Sequence, residues 1–239
     1  MAAVIFDGIA GLSGGVLPTA FVRKHITALL AFAAGTLIGA SFLELLPGAF
    51  ASQVPYQQIL LAVLVGFAGF YVVETFLGSH AAGQSGHKHS AIGPLILVGD
   101  ALHNAADGIA IAAAFMADIK TGIATSLAVI VHEVPQEIGD YAILISHGYS
   151  RKKALLLLII VQFAALFGAL FALGLSHITA TISPFLMALS AGGFIYIAAA
   201  DLLPELQRRK DTKRRFVKFI SFCAGVGIIG LIKLFLHDH

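Results

Sequence analysis

The sequence predicts an all-α, polytopic membrane protein with eight transmembrane helices. Two features of the composition support this fold class: 58% of the 239 residues are hydrophobic and only 12% are charged, whereas a soluble domain carries about 25% charged residues. The third feature is spacing, because eight apolar stretches each reach the roughly 20 residues that a helix needs to cross a bilayer. None of them alternates in polarity as the strands of a membrane β-barrel do.

The predicted spans follow one another through short connections, so residues 1–239 form a single transmembrane domain. We number the spans 1 to 8 in chain order, and they cover about residues 3–22, 26–49, 57–77, 92–116, 121–146, 154–175, 183–206 and 215–236. Span 1 lacks the basic segment with which a cleavable signal peptide begins, so we expect the protein to retain it. The single cysteine, Cys223, excludes an intrachain disulfide and argues against a thiolate metal site.

Basic residues predict the orientation of the chain, since lysine and arginine collect in cytoplasmic connections. Only Lys120 lies in an even-numbered connection, and Lys233 lies within span 8. The odd-numbered connections and the residues beside them hold thirteen: Arg23, Lys24, Lys88, Arg151, Lys152, Lys153, Arg208, Arg209, Lys210, Lys213, Arg214, Arg215 and Lys218. We therefore predict that the odd connections are cytosolic and that both termini lie outside. Because these residues serve topology, the net charge of +2 does not indicate a nucleic-acid partner.

Spans 2 and 7 contain similar sequences. Residues 34–47 read AGTLIGASFLELLP and residues 191–204 read AGGFIYIAAADLLP, with Glu44 and Asp201 in the same register. The two spans cross the bilayer in opposite directions, and such similarity is typical of an inverted repeat. We therefore predict that spans 1–3 and 6–8 are related by a pseudo-twofold axis, with spans 4 and 5 between them.

Spans 4 and 5 carry ionisable residues at mid-membrane depth, where such groups are costly and usually functional. His103 and Asp107 are four residues apart, so an imidazole and a carboxylate project from one face of span 4. In span 5 the same spacing relates His132 to Gln136. Imidazole and carboxylate ligands suit zinc, and also iron or manganese.

Further acids extend these two polar stripes. Glu133 and Glu137 are also four residues apart in span 5, and Asp100 and Asp140 lie about one turn further toward the predicted cytosolic face. The alternative to a metal site is a buried network of ion pairs that only fixes helix packing. Two histidines and several carboxylates at one depth favour the metal site.

The segments HNAADG at 103–108 and HEVPQEIGD at 132–140 resemble the paired signatures of the ZIP (Zrt-/Irt-like protein) family of divalent metal transporters. The similarity is closest to the subfamily whose fifth helix reads HEXPHE. This resemblance implies a 3+2+3 arrangement of eight helices and uptake of metal into the cytosol through a site between spans 4 and 5. It further implies zinc as the substrate, with Fe²⁺, Mn²⁺ or Cd²⁺ as alternatives, no organic cofactor, and a homodimer as a common assembly. The short connections suggest a plasma membrane, the inner membrane of a prokaryote.

Carried over residue by residue, the resemblance implies two adjacent metal sites. The primary site would use His103, Asp107, His132 and Gln136. The second would use Asn104, Glu133 and Gln162 of span 6, with Glu137 as a further candidate. The chain departs from the family pattern at Gln136, where the subfamily has histidine, and at Gln162, where an acid is often found. Since an amide oxygen is a weaker ligand, we expect one dominant site and a weaker second.

The metal is expected to enter from outside, guided by Asp118 or Glu44, and to leave past Asp100 and Asp140. Asp201, the counterpart of Glu44 in the repeat, is assigned to the same pathway.

Two other functions compete with transport into the cytosol. An intramembrane zinc metalloprotease needs HExxH, but Gln136 replaces the last histidine and Pro135 disrupts the helix that the motif requires. A metal exporter of the cation-diffusion type also pairs histidine with aspartate four residues apart. It would be expected to have six spans and a large cytosolic domain. We therefore expect a transporter and not an enzyme.

Overall fold

Every regular element in the described part of the chain is helical. The structure, a computed structural model, describes residues 2, 4, 8, 15, 17–82, 92–117, 119–208 and 215–237. No strand occurs among those residues, so the all-α prediction is confirmed. Six of the described helices are long and apolar enough to cross a membrane. Of the predicted span 1, about residues 3–22, the helical residues 4 and 8 and residues 15 and 17–22 are described, and the rest of that span lies outside the described residues.

The long helices of this part of the chain are named α1 to α7 in chain order. They are α1 (Thr19–Phe50), α2 (Tyr56–Ala82), α3 (Ile92–Ala117), α4 (Ile119–Ser146), α5 (Arg151–Gly174), α6 (176–208) and α7 (Arg215–His237). Helices α3 and α4 therefore correspond to predicted spans 4 and 5. Helix α4 is not one of the six apolar helices, although its 28 residues reach about 42 Å at 1.5 Å per residue.

The start of α1 differs from the prediction. The sequence predicts a connection near the basic residues 23–24, but α1 already begins at Thr19. Pro18 precedes it with extended backbone (φ −61°, ψ 136°), and a proline without an N–H group suits the boundary of a helix. The basic residues thus lie in the first turns of α1, just before a kink at His25 (φ −108°, ψ 16°).

Helices α1 and α6 share an irregularity that the sequence analysis did not predict. Each contains one stretch of π-helix, Ala40–Leu45 in α1 and Ile197–Leu202 in α6. The two stretches occupy the same register of the similar segments 34–47 and 191–204, and a Leu-Pro pair follows each of them. A proline removes one backbone donor, and membrane helices compensate by local π-type adjustment. The shared proline therefore accounts for the shared irregularity.

Glycines allow two pairs of helices to touch backbone to backbone. Helix α1 packs against α7, and α2 packs against α6. A Cβ atom on Gly35 of α1 would lie 2.2 Å from the carbonyl oxygen of Phe222 in α7. One on Gly192 of α6 would lie 2.1 Å from the carbonyl oxygen of Val63 in α2. Small residues permit such close crossings in membranes, and these two glycines occupy matching positions in the similar segments.

The outer surface of the bundle is apolar and its interior carries the polar residues. Large side chains point outward from α2, α5 and α7, among them Leu64 (60% exposed), Phe167 (68%) and Phe216 (71%). Side chains of this kind face lipid tails in a bilayer. Helix α3 contacts α4, α5 and α6, while α4 also contacts α1. This packing places the polar faces of α3 and α4 at the centre of the described helices.

Candidate metal centre

Helices α3 and α4 each bury a polar face, and nearly every side chain on these two faces can bind a cation. The residues share a helical spacing of three or four, which aligns them on one side of each helix. Those whose burial is described are all nearly inaccessible: Asp100, His103, Asn104 and Asp107 on α3, and Glu133, Gln136, Glu137 and Asp140 on α4. Buried polar groups of this density are costly unless they are paired or bind an ion.

Three of these residues converge on one point. The Nε2 atom of His103 lies 3.3 Å from Oδ2 of Asp107 and 3.5 Å from Oε1 of Glu133. One ligand atom from each residue lies within 4.8 Å of the other two. A tetrahedral zinc site takes ligands of these types, with three from the protein and a fourth position open. The group of His103, Asp107 and Glu133, called the histidine group below, can therefore hold a divalent metal.

The imidazole of His103 is positioned by an aromatic ring as well as by its acids. The ring of Phe194 in α6 lies 5.7 Å from it, centroid to centroid, at an interplanar angle of 60°. Phe194 is itself fully buried against Gly99 of α3, where a Cβ atom would approach its ring to 3.0 Å. No pattern in the sequence indicates this contact, because it depends on how α6 crosses α3.

Two amide side chains near the centre donate hydrogen bonds from their nitrogen atoms to acidic residues. Asn104 donates from Nδ2 to the carbonyl oxygen of Asp100 at 3.0 Å and to its Oδ1 at 2.8 Å. Gln162 of α5 donates from Nε2 to Oε1 of Glu137 and, at 3.4 Å, to Oε2 of Glu133. The amides therefore orient carboxylates in this structure. The sequence could place these residues near the site but not the direction in which each amide points.

Gln136 differs from those two amides. It is 1% exposed, and neither its Nε2 nor its Oε1 has a hydrogen-bond partner. It lies one turn from the backbone of His132, whose side chain is outside the described residues. The membership of His132 and Gln136 in a primary site therefore stays a prediction.

Of the residues assigned to the pathway, Asp100 and Asp140 are buried beside the histidine group. Glu44 is half-buried in the π-helical stretch of α1, whereas Asp118 and the side chain of Asp201 lie outside the described residues.

A cavity of about 740 Å³ opens at the end of α3 that follows Asp107. Ile109, Ala110 and Ala113 line it from α3. The polar side chains that line it are neutral and come from the end of α1, the start of α2 and the start of α6: Ser52, Gln53, Gln58, Thr179, Thr181 and Ser183. It reaches the turn of α3 next to Asp107. Glu44 does not line it.

Known proteins with a similar sequence are named as zinc transporters. The sequence profile described as "ZIP Zinc transporter" matches residues 78–233. "Zinc transporter ZIP13" of Pongo abelii is 35% identical over 231 residues, which cover 89% of this chain and 68% of that protein. The human protein of that name is 30% identical over 262 residues, with 87% and 71% covered. "Zinc transporter foi" of Drosophila melanogaster is 39% identical over 150 residues, with 62% and 21% covered.

Proposed function

Since the chain belongs to the ZIP family of zinc transporters, we propose that it carries zinc across the membrane into the cytosol by way of the histidine group. The family consists of transporters, so the chain is an integral membrane transporter and not an enzyme. The observation that carries the proposal is the convergence of His103, Asp107 and Glu133, an imidazole and two carboxylates buried at one point.

A metal with two positive charges offsets the charge of two buried carboxylates, which makes the histidine group a favourable stopping point for a divalent ion. Nitrogen together with oxygen ligands suits zinc better than the hard ions Mg²⁺ and Ca²⁺, which prefer oxygen alone. His132 and Gln136 complete this site in the proposal, because they lie one turn apart on one face of α4, two turns and one turn before Asp140. Fe²⁺, Mn²⁺ and Cd²⁺ are the alternative substrates.

The proposed path runs from the outer cavity to the cytosolic ends of α3 and α4. The metal leaves its water among the neutral side chains of the cavity, passes Ala110, and reaches Asp107 one turn further along α3. It leaves past Asp100 and Asp140, which extend the polar face toward the basic connections. The positive-inside rule assigns those basic connections to the cytosol, so movement from the cavity toward them is uptake. Glu44 and Asp201 belong to the path as counterparts in the repeat.

The proposed architecture is eight spans in a 3+2+3 arrangement with an inverted repeat. Three features support the repeat: the similar segments, their matching π-helical stretches, and the matching contacts of Gly35 and Gly192. Both termini would then lie outside a plasma membrane. The homodimer that the family resemblance implies stays a prediction.

Zinc uptake into proteoliposomes tests the proposal. The parent protein should load vesicles with zinc, whereas His103→Ala and Asp107→Ala should lose most of the uptake, since loss of a group around a bound metal weakens binding by about 10–100-fold. Glu74→Gln is the matched control, because it removes an acid of α2 that accepts a hydrogen bond from Tyr196 outside the centre. Normal uptake by both centre variants would show that the metal takes another route.

The metalloprotease alternative has its own discriminating result. A protease of this kind would cleave a peptide in a reaction that depends on Glu133 as general base. Peptide cleavage that disappears in Glu133→Gln while zinc uptake persists would favour the protease over the transporter.

A further inference from the structure

Three helices end side by side at the membrane face that the positive-inside rule assigns to the cytosol. Val22 in the first turn of α1 and Leu206 near the end of α6 are buried in one hydrophobic cluster. Lys218 in the first turn of α7 donates a hydrogen bond to the carbonyl oxygen of Leu206. The described basic residues of these three ends, called the basic group below, are Arg23, Lys24, Arg208, Arg215 and Lys218.

The packing of α1 against α7 brings cations of the two helices to one level. A Cβ atom on Gly35 would lie 3.1 Å from Cα of Gly225, and one on Gly39 would lie 3.1 Å from Cβ of Ile229. The two helices therefore run in the same direction, and both pairs are 190 residues apart in the chain. The same offset places Arg215 level with residue 25, next to the basic pair of α1.

The charge at this place is strongly positive. Topology explains on which side of the membrane the basic residues lie, but not why three helices supply them to one spot. Within the two end turns of each of these helices, Glu205 is the one acid among the described residues. Like charges repel one another, and salt screens them incompletely over distances below about 8–10 Å. An anion bound within the basic group would offset this repulsion.

Exposed aromatic side chains adjoin the basic group. Phe216 and Phe219 follow Arg215 in α7 and are 71% and 65% exposed. Phe21 of α1 is also exposed, and its ring packs on that of His25 at 4.6 Å between centroids. Rings at the ends of membrane helices lie among lipid. A ligand that contacts both the cations and these rings is anionic at one end and apolar at the other.

We propose that the basic group binds the headgroup of an anionic phospholipid of the cytosolic leaflet, with the lipid tails against Phe216 and Phe219. Four to eight basic residues beside a membrane helix are typical of binding to anionic lipids. A guanidinium group binds two phosphate oxygens at once, so Arg23 and Arg215 can hold one phosphate from two helices. The basic group shares no residue with the proposed metal path, so the inference does not depend on the proposed function.

Native mass spectrometry of the purified full-length protein tests the lipid site. The protein is titrated with phosphatidylglycerol, which is anionic, or with phosphatidylcholine of the same chain length, which has no net charge. The parent should bind phosphatidylglycerol more tightly. Arg23→Gln/Lys24→Gln/Arg215→Gln should lose about a hundredfold in that affinity, at about fivefold for each basic residue near a membrane surface. Its affinity for phosphatidylcholine should change little.

The matched control removes the same charge from another basic segment of this face, as Arg151→Gln/Lys152→Gln/Lys153→Gln. Arg151 donates to the carbonyl oxygen of Gly15 at 3.0 Å, and Nζ of Lys153 lies 5.1 Å from the centroid of the Tyr149 ring. Because these side chains already have partners within the protein, the control should keep most of the phosphatidylglycerol affinity. Equal losses in the two triple variants would show only a general attraction of negative lipid to this face and would overturn the site.

Two further measurements exclude misfolding and binding of a soluble anion. The variants should elute as the parent does in size-exclusion chromatography and should take up zinc in phosphatidylcholine vesicles. If the triple variant misfolds, Arg23→Gln/Lys24→Gln decides, since both side chains are exposed. Millimolar inorganic phosphate should leave phosphatidylglycerol bound, and complete displacement of the lipid by phosphate would contradict the proposal. Loss of zinc uptake by the parent would contradict the proposed function and leave the lipid result unaffected.

Discussion

The imidazole of His103 lies among two carboxylates and the aromatic ring of Phe194. A ring held in this way has its Nε2 atom fixed before a metal arrives. Such preorganisation lowers the entropy cost of binding, because fewer side-chain rotations are lost when the ion is bound.

Gln136→His should tighten zinc binding. The glutamine side chain is buried and makes no hydrogen bond, so its replacement removes no existing interaction and brings an imidazole one turn from His132. We expect zinc affinity to rise by about tenfold or more, and turnover to fall because release becomes slower. Isothermal titration with zinc and the uptake assay measure the two quantities. Gln136→Leu is the matched control and should not tighten binding; equal affinity in the parent and in Gln136→His would place residue 136 outside the site.

At the residue scale, the sequence predicts which residues share a face of a helix, but not the distances between residues on different helices. The spacing of His103 and Asp107 within one helix was sufficient to pair them. The family resemblance assigned Glu133 to the second site, yet in the structure it lies beside His103. Which acid of α4 approaches α3 depends on the rotation of α4 about its axis, and periodicity within α4 does not contain that information.

At the scale of helices, α3 and α5 are held together by two reciprocal glycine contacts. A Cβ atom on Gly108 would lie 1.9 Å from the carbonyl oxygen of Ala165, and one on Gly168 would lie 2.1 Å from that of Ala105. The second contact adjoins Asn104. The distance between α3 and α5 therefore governs where Gln162 of α5 meets the acids of α4.

Gly168→Ala should destabilise the protein and weaken the centre together. The added methyl group meets backbone, which cannot rotate away, so α5 must move outward at a cost of about 1–3 kcal/mol. Thermal unfolding in detergent, followed by size-exclusion fluorescence, should show a lower midpoint. Gly69→Ala is the control, since a Cβ atom there has nothing within 4 Å. Equal midpoints for Gly168→Ala and Gly69→Ala would mean that the two helices do not depend on this contact.

The presence of each helix could be predicted from the length of its apolar stretch, whereas the irregularities within the helices could not. The requirement to span hydrocarbon sets the length of each apolar stretch, and α3 covers Ile92–Ala117 where residues 92–116 were expected. The π-helical stretches depend on how backbone donors are redistributed before Pro47 and Pro204, and hydrophobicity does not record this. The early start of α1 has a similar cause, since Pro18 sets the boundary while the basic residues set only the topology.

At the scale of the whole molecule, the cavity, the acidic centre and the basic residues follow one another along α3 and α4. The basic residues 151–153 follow the end of α4 beyond Asp140, and the neutral cavity lies at the end of α3 beyond Asp107. A cation moving along these helices passes from neutral ligands to mixed ligands and then to carboxylates. The orientation of the chain decides whether that direction is uptake or export.

Cysteine labelling tests this orientation. Cys223→Ser removes the only cysteine of the chain, and Gln53→Cys or Lys152→Cys then places a single exposed thiol at opposite ends of the bundle. A membrane-impermeant maleimide should label Gln53→Cys in intact cells and Lys152→Cys only after the membrane is permeabilised, because basic connections are retained in the cytosol. The reverse labelling pattern would contradict the proposed orientation and would reverse the proposed direction of transport. Uptake by both variants checks that they are folded.

The most direct test of the metal centre is the anomalous scattering of zinc in crystals of the parent protein, recorded at the zinc absorption edge. We predict a peak between α3 and α4 at about 2.0–2.2 Å from a nitrogen of His103 and from an oxygen of Asp107 or Glu133. Crystals of His103→Ala should lose most of that peak. Zinc bound only elsewhere, with no peak at His103 in protein that transports zinc, would contradict the proposed centre.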